Sequence, residues 1–415
     1  LYGNLPKDEF ETLFGLPPGS VKGKVRKLDL NPYITLDYSA RLTGLSDELG
    51  DDGIVPAKYA AMPMPSVSVG NVIYINNYLQ GKQILEQLES SITADNFESR
   101  VLLIYVQPLE DIPDETNAPE TRVRYLILHQ QSTGKTYFVD LFRILAAGKA
   151  DIIRQLQKIF DKALVVGYDL QQSGVLLKSQ HKLTLSNPFC LKTAMAYIER
   201  ATGKSCEDLK RKFSDRSPKP VFSDLKSPRT SFDDCKQLVS KCSAQAFLFD
   251  EIVTFFQSYK LLSESSYQTG QMKIADNHFE LEMKLLQVLI DASSTGLKVN
   301  KKELERLQIK CAAVDNDTHN SILLSLLNNC GEPGQVVHTY FHSLGSSTGR
   351  LSSSNPNIMG IDRTLHHCIL PHSRQVLLCA DYSQIEPRIA AAYTQEEPLL
   401  RVFREGKDIY REIAS

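Results

Sequence analysis

One acidic residue following an apolar run carries the chemistry that is easiest to read. Val376-Leu377-Leu378-Cys379-Ala380 has the composition of a buried strand and ends on Asp381, followed by Tyr382-Ser383-Gln384-Ile385-Glu386. A carboxylate at the carboxyl end of a core strand is fixed by the sheet and left open by the loop, as in α/β folds that hold catalytic metals. One carboxylate does not hold Mg2+ tightly; it needs phosphate oxygens, backbone carbonyls and a second acid. Ser383-x-x-Glu386 also spells a capping box, with Ser383 at the N-cap and Glu386 at N3, a role that needs no ligand. Upstream, Thr348-Gly349-Arg350-Leu351-Ser352-Ser353-Ser354-Asn355-Pro356-Asn357 sets one fixed cation among hydroxyls, amides and turn formers. Such a loop can present Arg350 to phosphates or minor-groove acceptors, and taken alone it reads equally as a surface turn.

These groups need elements to position them. With 415 residues, 42% of them hydrophobic and 23% charged, the chain has the composition of a soluble globular protein. At about 150 residues per domain it should hold two or three domains. Its 47 Lys and Arg against 49 Asp and Glu leave a formal charge of -2, so any nucleic-acid surface must be local. The apolar runs are too short for a bilayer and the N-terminus lacks a secretory pattern, so the expectation is an intracellular protein without a membrane partner. Eight cysteines without a C-x-x-C pair suit reduced, mostly buried thiols better than disulfides or zinc.

Residues 1–70 read as a loop-rich segment. Strands are expected at Val72-Ile73-Tyr74-Ile75, at residues 101–106, at 124–128 and 136–139 joined by a turn at Ser132-Thr133-Gly134, and at 163–166. Helical spacing falls on 81–88, 151–160, 244–259 and 279–290; Gly296 ends the last of these, and Asn300 caps another over 301–312. Thr394, Glu396, Glu397 and Pro398 open a helix that continues through Leu399, Leu400, Val402 and Phe403 and stops at Gly406. The basic stretch 204–230 reads as a solvated insertion. The fold class is α/β (α+β) with a mixed sheet.

His338-Thr339-Tyr340-Phe341-His342, Thr348-Gly349-Arg350-Leu351-Ser352-Ser353, Pro356-Asn357, Asp381-Tyr382-Ser383-Gln384-Ile385-Glu386 and the tail Phe403-Arg404-Glu405-Gly406-Lys407-Asp408-Ile409 together resemble the start of the palm and fingers of family A DNA polymerases. The resemblance implies that Asp381 is the metal-bridging aspartate for Mg2+ and that Tyr382 lends a backbone carbonyl to the metal. It sets Ser383, Gln384, Glu386 and Tyr410 at the nucleotide, with Glu386 blocking a ribose 2′-hydroxyl. Arg350, with Thr348, Ser352, Ser353 and Asn357, would meet DNA at the primer terminus, while Arg388 reads as structural. The implied partners are a DNA primer-template and dNTP. Pro387 stands where the family usually has leucine, removing an early helical hydrogen bond and disfavouring helix at Glu386. Met359-Gly360 replaces a Gln-Asn pair. Tyr410 replaces a histidine, a feature shared with the theta and nu branches, for which the compartment would be nuclear; a mitochondrial or bacterial cytoplasmic setting fits the other branches.

Phe279-Glu280-Leu281-Glu282-Met283 and Gly296-Leu297-Lys298-Val299 resemble the segment that joins the exonuclease-like domain to the polymerase domain in that family, and Leu164-Val165-Val166-Gly167-Tyr168-Asp169-Leu170 resembles the exonuclease central strand. This implies a ribonuclease H-like exonuclease-type domain over 71–260, a helical connector with reduced thumb over 261–336, holding two short helices between 299 and 337, and a partial palm with the start of the fingers over 337–415. The exonuclease acids fall on Tyr105, Gln107, Ser173 and the segment Cys242–Ala246, so proofreading is expected to be absent; Asp169, Glu110 and Asp111 read as surface acids. The chain ends within a helical pattern, Ile409-Tyr410-Arg411-Glu412-Ile413, and reads as an inactive fragment of a template-directed DNA polymerase that lacks half of the active site. A non-catalytic DNA-binding or partner-binding scaffold is the alternative from another class, and an active nuclease a third.

Overall fold

The computed structural model describes residues 72–414 apart from 77, 95, 111, 204, 217–231, 259–276, 313–316, 332–334 and 347. The readings made for residues 1–70 and for Asp111 lie outside the described residues. Residues as far as His372 belong to one compact unit and those from Ser373 to another.

Apolar and β-branched runs build the sheet of the first unit. Its strands are β1 (Val72–Ile75), β2 (Val101–Pro108), β3 (Val123–Gln130), β4 (Lys135–Asp140), β5 (Leu164–Gly167) and β6 (Pro188–Cys190), in the order β1-β4-β3-β2-β5-β6. β3 runs antiparallel to both neighbours, whereas β1 with β4, β2 with β5 and β5 with β6 are parallel. The sheet is therefore mixed, as expected. Alternation along β3 explains its burial on both faces: Leu126 and Leu128 join the main core, and Tyr125 and Ile127 pack on the other side with Leu238, Val239 and Cys242.

Helices α1 (Tyr78–Ser91), α2 (Leu141–Lys162), α3 (Leu170–His181), α4 (Leu191–Thr202), α5 (Glu207–Arg216), α6 (Phe232–Ser258) and α7 (Asn277–Thr295) cover the sheet. The stretch expected to be a solvated insertion contains α5, because Phe213 is buried and stacks on Tyr168 at 4.5 Å. α7 lies along α3 at Gly174, where any Cβ would collide with Ile290. Phe279 of α7 also enters an aromatic cluster with Phe189, Tyr197 and Phe256, so α7 shares the core of the sheet domain.

Beyond α7, Gly296 turns the chain at φ +68°. α8 (Lys301–Ala312), capped by Asn300, and α9 (Asp317–Asn328) are the two short helices expected there. With a small sheet of β7 (Leu297–Lys298), β8 (Cys330–Gly331) and β9 (Val336–Val337) they enclose a separate core that includes Val299, Leu304, Leu323, Val337 and Leu365. A hairpin of β10 (Tyr340–His342) and β11 (Ser352–Ser354) follows. In the second unit α10 (Ile385–Thr394), α11 (Glu397–Arg404) and α12 (Ile409–Ala414) gather around Ala391, Ala392, Leu400, Phe403 and Ile409. Among the described residues, no helix is long and apolar enough to cross a membrane.

Two buried polar groups make the sheet domain testable. Arg124 and Asp140 form an ion pair at 3.3 Å with side chains 2% and 0% exposed, and Tyr74 also donates to Asp140. Asp140→Ala removes the carboxylate from a buried cation and should cost roughly 3–5 kcal/mol in urea unfolding, whereas the double replacement Arg124→Met with Asp140→Leu should cost far less. His129 is fully buried; its Nδ1 meets Thr136 Oγ1 at 2.9 Å and its Nε2 has no partner. Burial lowers its pKa from 6.5 to about 4. The unfolded chain therefore takes up a proton first as pH falls, so the stability present above pH 6.5 is lost down to about pH 4. Urea unfolding at pH 7 and pH 4.5 should show a loss on the order of 2–3 kcal/mol that His129→Gln abolishes.

Candidate nucleic-acid turn and nucleotide motif

The apolar run before Asp381 departs from the expected buried strand. Residues 376–380 form no strand and are exposed, Val376 at 89% and Leu378 at 91%. Apolar composition favours burial, but a strand also needs a neighbour to take its N–H and C=O groups, and no described strand pairs with this run. Asp381, Tyr382, Ser383 and Glu386 are exposed, and Gln384 is half-buried.

The capping box does not form either. Gln384, at φ +54°, is the N-cap of α10 and makes no side-chain cap bond. Pro387 consequently falls in the first helical turn, where no intrahelical partner awaits its missing N–H, and Glu386 is helical despite preceding proline. Arg388 is structural in its contacts: its Nε donates to the Ser383 carbonyl at 2.7 Å and its guanidinium lies 4.6 Å from the Phe403 ring centre. Tyr410 is 65% exposed at the start of α12, where Asp408 accepts from its backbone N–H.

Arg350 stands in the loop between β10 and β11. Gly349 precedes it at φ +77°, and the Ser346 hydroxyl clasps its backbone, accepting from the Arg350 N–H at 2.9 Å and donating to the Arg350 carbonyl at 3.0 Å. Thr348, Arg350 and Asn357 are exposed and Ser352 is half-buried. Ser353 is buried instead, because its hydroxyl donates to Asn357 Oδ1 and accepts from the Met359 N–H, which sets it inside the turn.

Asp169 is not the surface acid its type suggested. It follows β5 and caps α3 by accepting from the Gln172 N–H, while Tyr340 Oη donates to its carboxylate at 3.0 Å and Lys192 Nζ lies 3.3 Å away. Lys192 also pairs with Glu115 at 3.1 Å and sits 4.7 Å from the Tyr340 ring centre. Burial works against the Lys192 charge, but Asp169 and Glu115 outweigh it and hold its pKa above the ordinary lysine value. Burial, followed by the Asp169 charge, pushes the Tyr340 phenol far up, so it serves as a neutral donor. Glu115, Lys192, Tyr340 and His342 line a cavity of about 200 Å³ with Leu286 and Leu289. This cluster escaped sequence reasoning, although an acid two residues past a core strand is close to the signal used for Asp381.

The positions matched to exonuclease acids hold other groups. Tyr105 donates to Gln107 at 3.0 Å, Gln107 donates to the Pro108 carbonyl, and Cys242 is buried, with its thiol pushed up by burial. Among the described residues no three His, Cys, Asp or Glu side chains converge to hold a metal ion. A single exposed carboxylate at Asp381 does not by itself fit Mg2+.

The model of DNA polymerase family A matches residues 257–415, which include both the Arg350 turn and Asp381. Residues 257–415 are thus similar to DNA polymerase family A. The chain is 44% identical over 85 residues to a thermostable DNA polymerase I of Thermus filiformis, covering 19% of this chain and 10% of that protein. It is 34% identical over 135 residues to a DNA polymerase I of Synechocystis, covering 28% and 13%. The chain thus spans only a small part of the curated relatives it matches. A solved structure of the POL domain of Pol1 from M. smegmatis, in complex with DNA primer-template and dNTP, aligns at TM-score 0.54 and 17% identity over 81% of this chain and 65% of that one, a likeness of fold.

The Arg350 turn depends on Gly349. A Cβ at φ +77° carries the left-handed cost of about 1–2 kcal/mol. Gly349→Ala should therefore speed hydrogen–deuterium exchange of the Arg350 amide several-fold and leave that of β3 unchanged.

Proposed function

We propose that this chain is part of a template-directed DNA polymerase that transfers a nucleotide from dNTP to a primer 3′-hydroxyl. The observation that carries this reading is the family A match across the segment holding both the Arg350 turn and Asp381. The structural neighbour with primer-template and dNTP bound supports those two ligands. In this reading residues 71–260 are the exonuclease-like domain, 261–336 the connector and 337–415 the beginning of the palm and fingers.

Asp381, exposed and negatively charged, is the group that would take part in holding Mg2+ with the Tyr382 carbonyl, and it needs further acids to do so. Ser383, Gln384, Glu386 and Tyr410 belong to the nucleotide side, and the helical placement of Glu386 keeps a sugar-sensing role open to it. Arg350, Thr348, Ser352 and Asn357 face the DNA, while Ser353 holds the turn. Proofreading is absent in this reading, since Tyr105, Gln107, Ser173 and Cys242 offer no carboxylate. The pointer toward the theta and nu branches rests on Tyr410.

A second reading is a non-catalytic scaffold that binds DNA or a partner, motivated by Pro387 and by the non-acidic groups at Tyr105, Gln107, Ser173 and Cys242. Primer extension by the natural full-length protein separates the two. Asp381→Asn should reduce extension by at least about a hundredfold with primer-template binding retained. Equal extension by variant and wild type rejects the role of Asp381, and no extension by either favours the scaffold.

A further inference from the structure

The geometry points to Asp169, Lys192 and Tyr340, with Arg200, as positioning residues through which the exonuclease-like domain mounts the Arg350 turn for contact with nucleic acid. This inference rests on the nucleic-acid reading of that turn.

The hairpin carrying Arg350 is held by the sheet domain at its base. Tyr340 of β10 donates to Asp169 at the end of β5, and Lys192 of α4 reaches the Tyr340 hydroxyl at 3.2 Å. On the other strand, the Glu115 carbonyl accepts from Asn355 Nδ2 at 2.9 Å and from Ser354 Oγ at 3.4 Å. Between the two, Asn117 donates to the Thr339 carbonyl at 2.7 Å. Both strands therefore end on groups of the sheet domain.

A second grip lies at the tip. Arg200, on the exposed side of α4, donates to the Ser346 carbonyl at 3.3 Å, and Ser346 is the residue whose hydroxyl clasps the Arg350 backbone. Lys192 and Arg200 sit on one helix, so α4 touches both the base and the tip of the hairpin.

Energetics support a positioning role over a purely stabilising one. The Asp169 and Glu115 carboxylates share the Lys192 ammonium, with His342 beside Glu115, and apolar side chains of similar volume would stabilise such a partly buried site as well or better. A charged hydrogen bond adds direction: it fixes Tyr340 against Asp169, and so favours one placement of the loop. The domain that offers no nuclease acids at the matched positions thereby keeps a use, as the mount for a cation.

The test is the affinity of the full chain for a fluorescently labelled primer-template duplex, by anisotropy. Losing the Tyr340 hydroxyl from a charged partner should weaken binding roughly tenfold in Tyr340→Phe. The salt dependence should keep its slope, because Tyr340 touches no phosphate, whereas Arg350→Ala should lower the slope by about one. In an Arg350→Ala background, Tyr340→Phe should have no further effect. Arg200→Gln, an exposed change that spares the core, should show the same dependence on Arg350 and keeps the inference testable if Tyr340→Phe fails to fold. An equal fold-loss in both backgrounds, or no loss in either, overturns this inference alone. Failure of the unaltered chain to bind primer-template overturns the nucleic-acid reading together with it.

Discussion

The first unit is organised around a carboxylate that cannot be left alone. Asp169 leaves the sheet at the end of β5, where the chain turns into α3, and is largely withdrawn from water. Its charge is tolerable there only because the α3 backbone, the Lys192 ammonium and the Tyr340 hydroxyl converge on it. Those partners come from three places in the chain, so satisfying one acid ties together β5, α4 and the hairpin that lies far downstream. Removing any partner leaves the others with unmet bonds, which makes the arrangement all-or-none.

What the sequence disclosed follows from what each element needs. β2 through β5 were legible because both faces of the sheet are buried, and unbroken apolar runs are the direct result. Gly296 and Asn300 were legible as helix punctuation because each acts through its own backbone or nearest neighbours. The early half of α6 and the whole of α5 were missed: both sequences are rich in Lys, Asp and Ser, and in α5 the buried Phe213 hides among charged neighbours. The run 376–380 misled for the opposite reason, since apolar composition expresses a preference for burial and says nothing of whether a partner strand is present.

The candidate site divides along the same line. Arg350 and Asp381 could be picked out from local spacing, and both stand exposed. Asp169, Lys192 and Glu115 could not, because a polar residue reads as surface until its distant partners are known. Ser353 illustrates the converse case, a hydroxyl in a motif of apparent donors that the fold turns inward.

The exposed Val376-Leu377-Leu378 segment carries a further consequence. It combines β-branched and leucine side chains, no charge and open backbone groups, the features by which short peptides recruit identical copies of themselves. A lysine or proline written into it would act as a gatekeeper against such pairing.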